Sequence, residues 1–271
     1  MGAMSPEVMM GELNLIWQHV FTWASWAIVI IMLIIAARMG IKQKTPFYLL
    51  ACLAAGLGAF IEPLYDVAFD LWFYDVSNGV AGAMFSHFTA FGIVQPNWSH
   101  SGYIILYATA CLYAGKMIYE GRMSTKLLFL IWLAEITASC VFEMIGTGMG
   151  VYTYYGPYVM RLWNYPLVIG ILEGTQVVIF TVLAVQLWRR VSSQIGLLGL
   201  IILFPMTMLG ANGGLGGPII IALHLPESEY NQAFIWAGTL MTIAMCVIAV
   251  RGAALFLPSR PLAVDKQASI S

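Results

Sequence analysis

The chain reads as an all-α, polytopic transmembrane helical bundle of seven spans, with the N-terminus outside and the C-terminus cytoplasmic. Three observations carry that reading. Of its 271 residues, 61% are hydrophobic and only 9% are charged, whereas a soluble domain uses about 25% charged residues to cover its surface. Apolar stretches recur at about 20 residues, the length that crosses about 30 Å of hydrocarbon. Finally, the basic residues fall almost entirely on one side of those stretches. A net charge of −1 offers nothing to a polyanion, so no nucleic-acid partner is expected.

The expected spans are 15–37, 46–68, 102–120, 126–147, 166–188, 195–212 and 231–256, in a single transmembrane domain over 1–271. The first seven residues lack a basic n-region, so the first span is expected to be retained rather than cleaved. Arg38, Lys42 and Lys44 follow span one; Lys116, Arg122 and Lys126 flank the third connection. Arg189 and Arg190 follow span five, and Arg251, Arg260 and Lys266 fall at the C-terminal end. Only Arg161 lies on the other side, so eleven of the twelve basic residues share one face. The positive-inside rule then sets the orientation and demands an odd number of spans. Span five is expected to begin at Pro166, with Asn164 capping it from outside. Two apolar pieces, 80–94 and 213–224, are too short to cross alone and read as re-entrant or interfacial segments. Gly210–Pro218 looks like a phosphate loop but lacks its lysine, and reads as a helix break. Cys52, Cys111, Cys140 and Cys246 sit in apolar runs without metal-ligand spacing and read as packing residues.

Acidic residues inside apolar spans point to function, because each costs about 2.5–3.5 kcal/mol to insert at mid-membrane. Glu62 and Asp66 lie one helical turn apart on one face of span two, and Asp70 extends that stripe. Their spacing predicts a pair sharing one proton. Glu135, Ser139 and Glu143 line one face of span four, while Glu173 lies within span five beside Gln176. His19, His87, His100 and His224 map to the outer half or its loops. Several carboxyls in a low-dielectric cavity without cations cannot all be ionised together. At least one is expected to be a neutral acid, the state a general acid requires.

Thirty-six aromatic residues include two dense runs, Tyr65–Tyr74 and Tyr152–Tyr165. They suit an interfacial belt by position. Their faces also stabilise a desolvated cation by about 0.5–2 kcal/mol each. Asp66-Val-Ala-Phe-Asp70 matches the Asp-xxx-Asp spacing of magnesium-diphosphate sites in prenyl-transferring enzymes. No Lys or Arg cluster accompanies it, so no metal ligand and no cofactor is assigned. Glu227 and Glu229 read as solvated loop charges.

Two groups of motifs carry a family resemblance. The first is Phe60-Ile-Glu-Pro-Leu-Tyr-Asp66 with Gln95-Pro-Asn-Trp98 and the Tyr103/Tyr107 span. The second is Glu143 with Gly150-Val-Tyr-Thr-Tyr-Tyr-Gly156 and Asn164-Tyr-Pro166. Together, over about residues 55–190, they resemble the actinobacterial integral-membrane terpene cyclases of indole-terpenoid pathways such as those of drimentines and xiamycin. The Gly-x-Tyr-x-Tyr pattern is also similar to membrane carotenoid hydratases. Fungal seven-span meroterpenoid cyclases are of similar size, but their motifs do not align and no residue is carried over from them. The resemblance implies a bacterial plasma-membrane enzyme with a lipophilic isoprenoid substrate.

The expected activity is protonation-initiated cyclisation of a prenylated substrate. Glu62, Asp66, Glu143 and Glu173 are the candidate catalytic residues. Tyr65, Phe69, Trp98, Tyr152, Tyr154, Tyr155 and Asn164 are the candidate substrate-binding residues. The rival readings are a carotenoid-modifying membrane enzyme (hydratase or cyclase) and a proton-coupled small-molecule transporter; against the transporter stands the lack of an evident inverted repeat. A retinal photoreceptor is excluded by the absence of lysine from 231–250.

Overall fold

In a computed structural model the chain is a bundle of apolar helices, described for residues 11–74, 86–226, 229 and 231–258. Six helices among these residues are long and apolar enough to cross a membrane. They are α1 (Leu15–Gln43), α2 (Phe47–Ala68), α4 (Thr125–Gly148), α5 (Leu167–Arg190), α6 (Gln194–Leu215) and α8 (Gln232–Ala254). Between α2 and α4, residues 98–119 form a nearly continuous helical run, α3, containing a π-helical stretch at Ile104–Ala108. A short helix, α7 (Gly217–Leu223), joins α6 to α8. The first seven residues, Glu227, Arg260 and Lys266 lie outside the described residues.

Local chemistry sets the helix ends. Side-chain oxygens of Asn14, Ser124 and Asn231 accept backbone N–H groups at the starts of α1, α4 and α8, satisfying donors with no intrahelical partner. Lys44 closes α1 in the left-handed conformation at φ 53°. The α5 start differs from expectation. Pro166 stands at the cap position without a side-chain cap, and the helix runs from Leu167. Asn164 instead forms a tight turn with Trp163, both at positive φ (65° and 46°), between β5 (Arg161–Leu162) and β6 (Tyr165–Pro166). Two left-handed central residues are what a two-residue hairpin of this hand requires, and asparagine tolerates that conformation best after glycine.

The two short apolar pieces take different local structures, Gly217–Leu223 being the short helix α7. Residues 80–85 lie outside the described residues, and 86–94 fall in a β-hairpin of β2 (Ser86–Ala90) and β3 (Ile93–Pro96). Within Gly210–Pro218 the helix does break, at Gly216 between α6 and α7; before it Leu209–Leu215 continues α6 as a π-helix, and Asn212 Nδ2 donates to the Met208 carbonyl at 3.3 Å. Helical hydrogen bonding widened by one residue tolerates glycine without losing the ladder.

Helix α5 is the centre of the bundle. Of its most apolar window 83% is buried, against 28–56% in the other five long helices. Small residues permit the close approach. A side chain at Gly174 would place its Cβ 2.7 Å from Ile136 Cγ1 and 3.0 Å from the Ile136 backbone nitrogen on α4. At one end of the bundle, β1 (Leu71–Phe73), which follows α2, pairs antiparallel with β4 (Tyr152–Tyr154), which follows α4. The register sets Leu71 against Tyr154 and Phe73 against Tyr152. That ladder holds the two tyrosines over the ends of the helices.

Candidate functional site

The polar residues of the apolar helices meet beneath this ladder. Glu62 of α2, Glu143 of α4 and Glu173 of α5 line one cavity with Tyr65, Tyr103, Tyr107, Tyr152 and Tyr154. Trp98, Phe73 and Phe142 complete the apolar wall, and no Lys, Arg or His lines it among the described residues. The free space is about 50 Å³, enough for a few water molecules. Around Glu62 the Tyr103 hydroxyl is the donor. Around Glu173 three hydroxyls converge: Tyr65 donates to Oε1 at 3.1 Å, Tyr165 to Oε2 at 3.1 Å, and Ser139 to Oε2. Tyr154 donates to Glu143 Oε2 at 3.2 Å, and its oxygen lies 3.4 Å from that of Tyr65. Burial holds the Tyr152 and Tyr154 phenols well above their usual pKa of 10.0, with Glu143 adding to the shift, so both remain neutral.

The surroundings fix this set in place. Trp98 donates its indole N–H to Gln18 Oε1 at 2.9 Å and packs its ring 5.7 Å from that of Tyr152. Arg161 donates to the Tyr154 and Gly156 carbonyls and lies 5.7 Å from the Tyr158 ring centroid. Arg161 thus braces β4 rather than neutralising the cavity carboxyls.

Not every candidate residue reaches the cavity. Glu62 and Asp66 do lie a turn apart, and each has its own hydrogen-bond partner. Asp66 Oδ2 accepts from Gln95 Nε2 at 2.6 Å while Glu62 takes Tyr103. A helical turn places two carboxyls on one face without making them touch, and here α3 and β3 each claim one. Asp70 faces away from the cavity toward His224, with Oδ1 to Nε2 at 3.4 Å. The Asp70 hydrogen bond raises the His224 pKa above 6.5. Tyr155, half-buried, belongs to that Asp70 group, where burial and then the Asp70 carboxyl raise its phenol above 10.0. Phe69 packs its ring 4.7 Å from the back of Tyr65, and Asn164 is exposed in its turn. Glu135 accepts from Tyr113 and Gln176 Nε2 donates to Thr207 at 3.1 Å, both outside the cavity lining. Among the described residues no group of three or more His, Cys, Asp or Glu side chains is placed to hold a metal ion.

Four members of the site carry little signal along the chain. Tyr103 and Tyr107, spaced i and i+4, mark one face of α3, but an aromatic pair at helical spacing is ordinary core. Ser139 could be read only as a neighbour of Glu135 and Glu143 on α4. Tyr165 looked like one more residue of an aromatic belt.

Fold and site together define a helical membrane protein with an acidic, tyrosine-walled cavity buried at one end of its bundle. No protein-family model, curated protein or solved structure matches the chain.

Proposed function

We propose that this protein is an integral-membrane terpene cyclase that protonates a prenylated, lipophilic substrate and guides the resulting carbocation. The observation that carries the reading is the cavity lining: three carboxyls and five tyrosines with no basic side chain. Diphosphate ionisation needs cations to receive the leaving group, and this cavity presents acids instead. Hydrogen-bond donors stabilise a carboxylate. Glu173, with three, takes the anionic role, and Glu62, with Tyr103 as its donor, takes the acid. Glu62 transfers its proton to the CH carbon of the terminal olefin, whose π pair forms the C–H bond and leaves a tertiary cation on the dimethyl carbon. Internal olefins attack in turn, forming C–C bonds, and Glu143 removes the final proton as the last C=C bond forms. Aromatic faces of Trp98 and the tyrosines stabilise each cation by about 0.5–2 kcal/mol. The likeness to the indole-terpenoid membrane cyclases points to the same substrate class. Access for a prenyl chain requires side chains at the mouth to move, because ligand pockets span about 300–1,000 Å³.

The protein is proposed to reside in a bacterial plasma membrane with seven spans, residues 98–119 being the third. At 1.5 Å per residue that run covers about 33 Å, enough to cross the hydrocarbon. With the N-terminus outside and the C-terminus cytoplasmic, the cavity opens toward the outer leaflet. A C-terminal reporter should therefore be cytoplasmic and an N-terminal tag extracytoplasmic; both on one side would leave an even number of spans.

The small free space favours a second reading, a proton-coupled carrier. The two part in one assay. A cyclase converts a prenylated indole in detergent and, in D₂O, places one deuterium on the protonated terminus. A carrier forms no product and instead acidifies proteoliposomes along a solute gradient. Proton movement without product would remove the cyclase reading.

A further inference from the structure

Glu143 and Glu173 are joined by an unbroken line of hydroxyls. Tyr154 lies 3.2 Å from Glu143, its oxygen 3.4 Å from that of Tyr65, and Tyr65 lies 3.1 Å from Glu173. The four groups come from four separate elements: α4, β4, α2 and α5. Tyr65, Tyr154 and Glu173 are 6%, 1% and 4% exposed, whereas Glu143 is half-buried. The line thus leads from the more exposed carboxyl to the more buried one, both lining the cavity, and Ser139 and Tyr165 hold the buried end.

We propose that Glu143 and Glu173 form a single proton-sharing unit, connected through the Tyr154 and Tyr65 hydroxyls. In one state Glu143 is protonated and donates to the Tyr154 oxygen, Tyr154 donates to Tyr65, and Tyr65 donates to ionised Glu173. Three short hops reverse every bond. Glu173 then holds the proton and donates to Tyr65, Tyr65 donates to Tyr154, and Tyr154 donates to ionised Glu143. No phenol ends ionised and the unit's charge is unchanged. Tyr65 and Tyr154 are therefore relay residues as well as wall, which simple cross-bracing of helices would not require. In the cyclisation reading, on which this role rests, Glu143 collects the final proton of one turnover and passes it inward. The cavity face is thereby restored as a base, and a solvent-exchanged proton later returns through Glu143 to Glu62 across the cavity that both line.

The test uses the purified protein in detergent with no substrate. Infrared spectra, recorded at a pH at which the Glu143–Glu173 unit holds one proton, identify the carboxyl C=O band lost in Glu173→Gln, and transfer into D₂O follows hydrogen–deuterium exchange at that group. In Tyr65→Phe and Tyr154→Phe proteins that retain the wild-type melting curve, exchange at Glu173 should slow by about tenfold or more, the rate equivalent of one lost hydrogen bond. Glu143→Gln should displace the Glu173 band in the wild-type background and leave it in place in the Phe variants. If Tyr65→Phe does not fold, Tyr154→Phe alone decides, since it interrupts the line without touching Glu173. Unchanged exchange and an unchanged band response in the folded Phe variant overturn the relay, whatever the substrate proves to be. Slowed exchange supports it even in a protein that cyclises no isoprenoid.

Discussion

Glu62→Gln is expected to fold and to lose about 10²-fold or more of its turnover, the usual scale of a general-acid contribution. The amide oxygen can still accept the Tyr103 hydroxyl, so the hydrogen bond survives while the transferable proton does not. Asp66→Asn is the informative contrast. Asp66 is held by Gln95 and does not line the cavity, and an asparagine oxygen can take the same bond. That variant should keep most of the rate. The measurement is product formed from a prenylated indole in detergent, with D₂O as the proton source, with and without excess EDTA. Turnover that survives EDTA and fails in Glu62→Gln fits protonation by the carboxyl. Activity lost with EDTA and restored by magnesium would defeat the protonation mechanism and return attention to Asp66 and Asp70. Full activity in Glu62→Gln would leave Glu143 and Glu173 as the remaining acids.

A large structural effect is expected at Gly174. There α5 passes so close to α4 that a Cβ meets not only the Ile136 side chain but its backbone nitrogen, at 3.0 Å. A side chain can rotate away; a helix backbone cannot. Gly174→Ile should force the two helices apart at an overpacking cost of about 1–3 kcal/mol or more, and Gly174→Ala should cost less. The same displacement pulls Ser139 from Glu173, the residue adjacent to the glycine. A lower melting temperature in detergent, with less folded protein recovered, is the expected result. A Gly174→Ile protein that melts like the wild type would mean that α4 and α5 do not approach as closely as the structure has them.

Much of the architecture was legible along the chain because hydropathy over about 20 residues is a one-dimensional property. The expected 46–68 and 126–147 correspond to Phe47–Ala68 and Thr125–Gly148. Where the chain departs from expectation, local chemistry won over apolar content. Phe91 and Gly92, both at positive φ, turn the 86–94 region into a hairpin. Asn164 serves a turn instead of capping a helix. The break expected over Gly210–Pro218 falls at Gly216, whereas Gly210, Gly213 and Gly214 lie in a widened, π-helical end of α6 where Asn212 supplies a donor to the Met208 carbonyl. Glycine counts alone do not distinguish a break from a π-helix, because the outcome depends on whether a nearby side chain satisfies the displaced backbone group.

By itself the sequence determined an apolar helical bundle with carboxyls buried inside it. Span length, the clustering of basic residues and the presence of Glu62, Glu143 and Glu173 in apolar runs are all read within single segments. Only the tertiary structure decided which of those carboxyls share a cavity and which are committed elsewhere. Glu62 meets Tyr103 across 41 residues, Tyr65 meets Tyr154 across 89, and Tyr65 meets Glu173 across 108. Helical periodicity states which face a residue occupies, but not which neighbour that face meets. The neighbour is set by close approaches such as Gly174 against Ile136 and by the pairing of β1 with β4. That is why Asp66, one turn from Glu62 and indistinguishable from it by spacing, ended beside Gln95 outside the cavity.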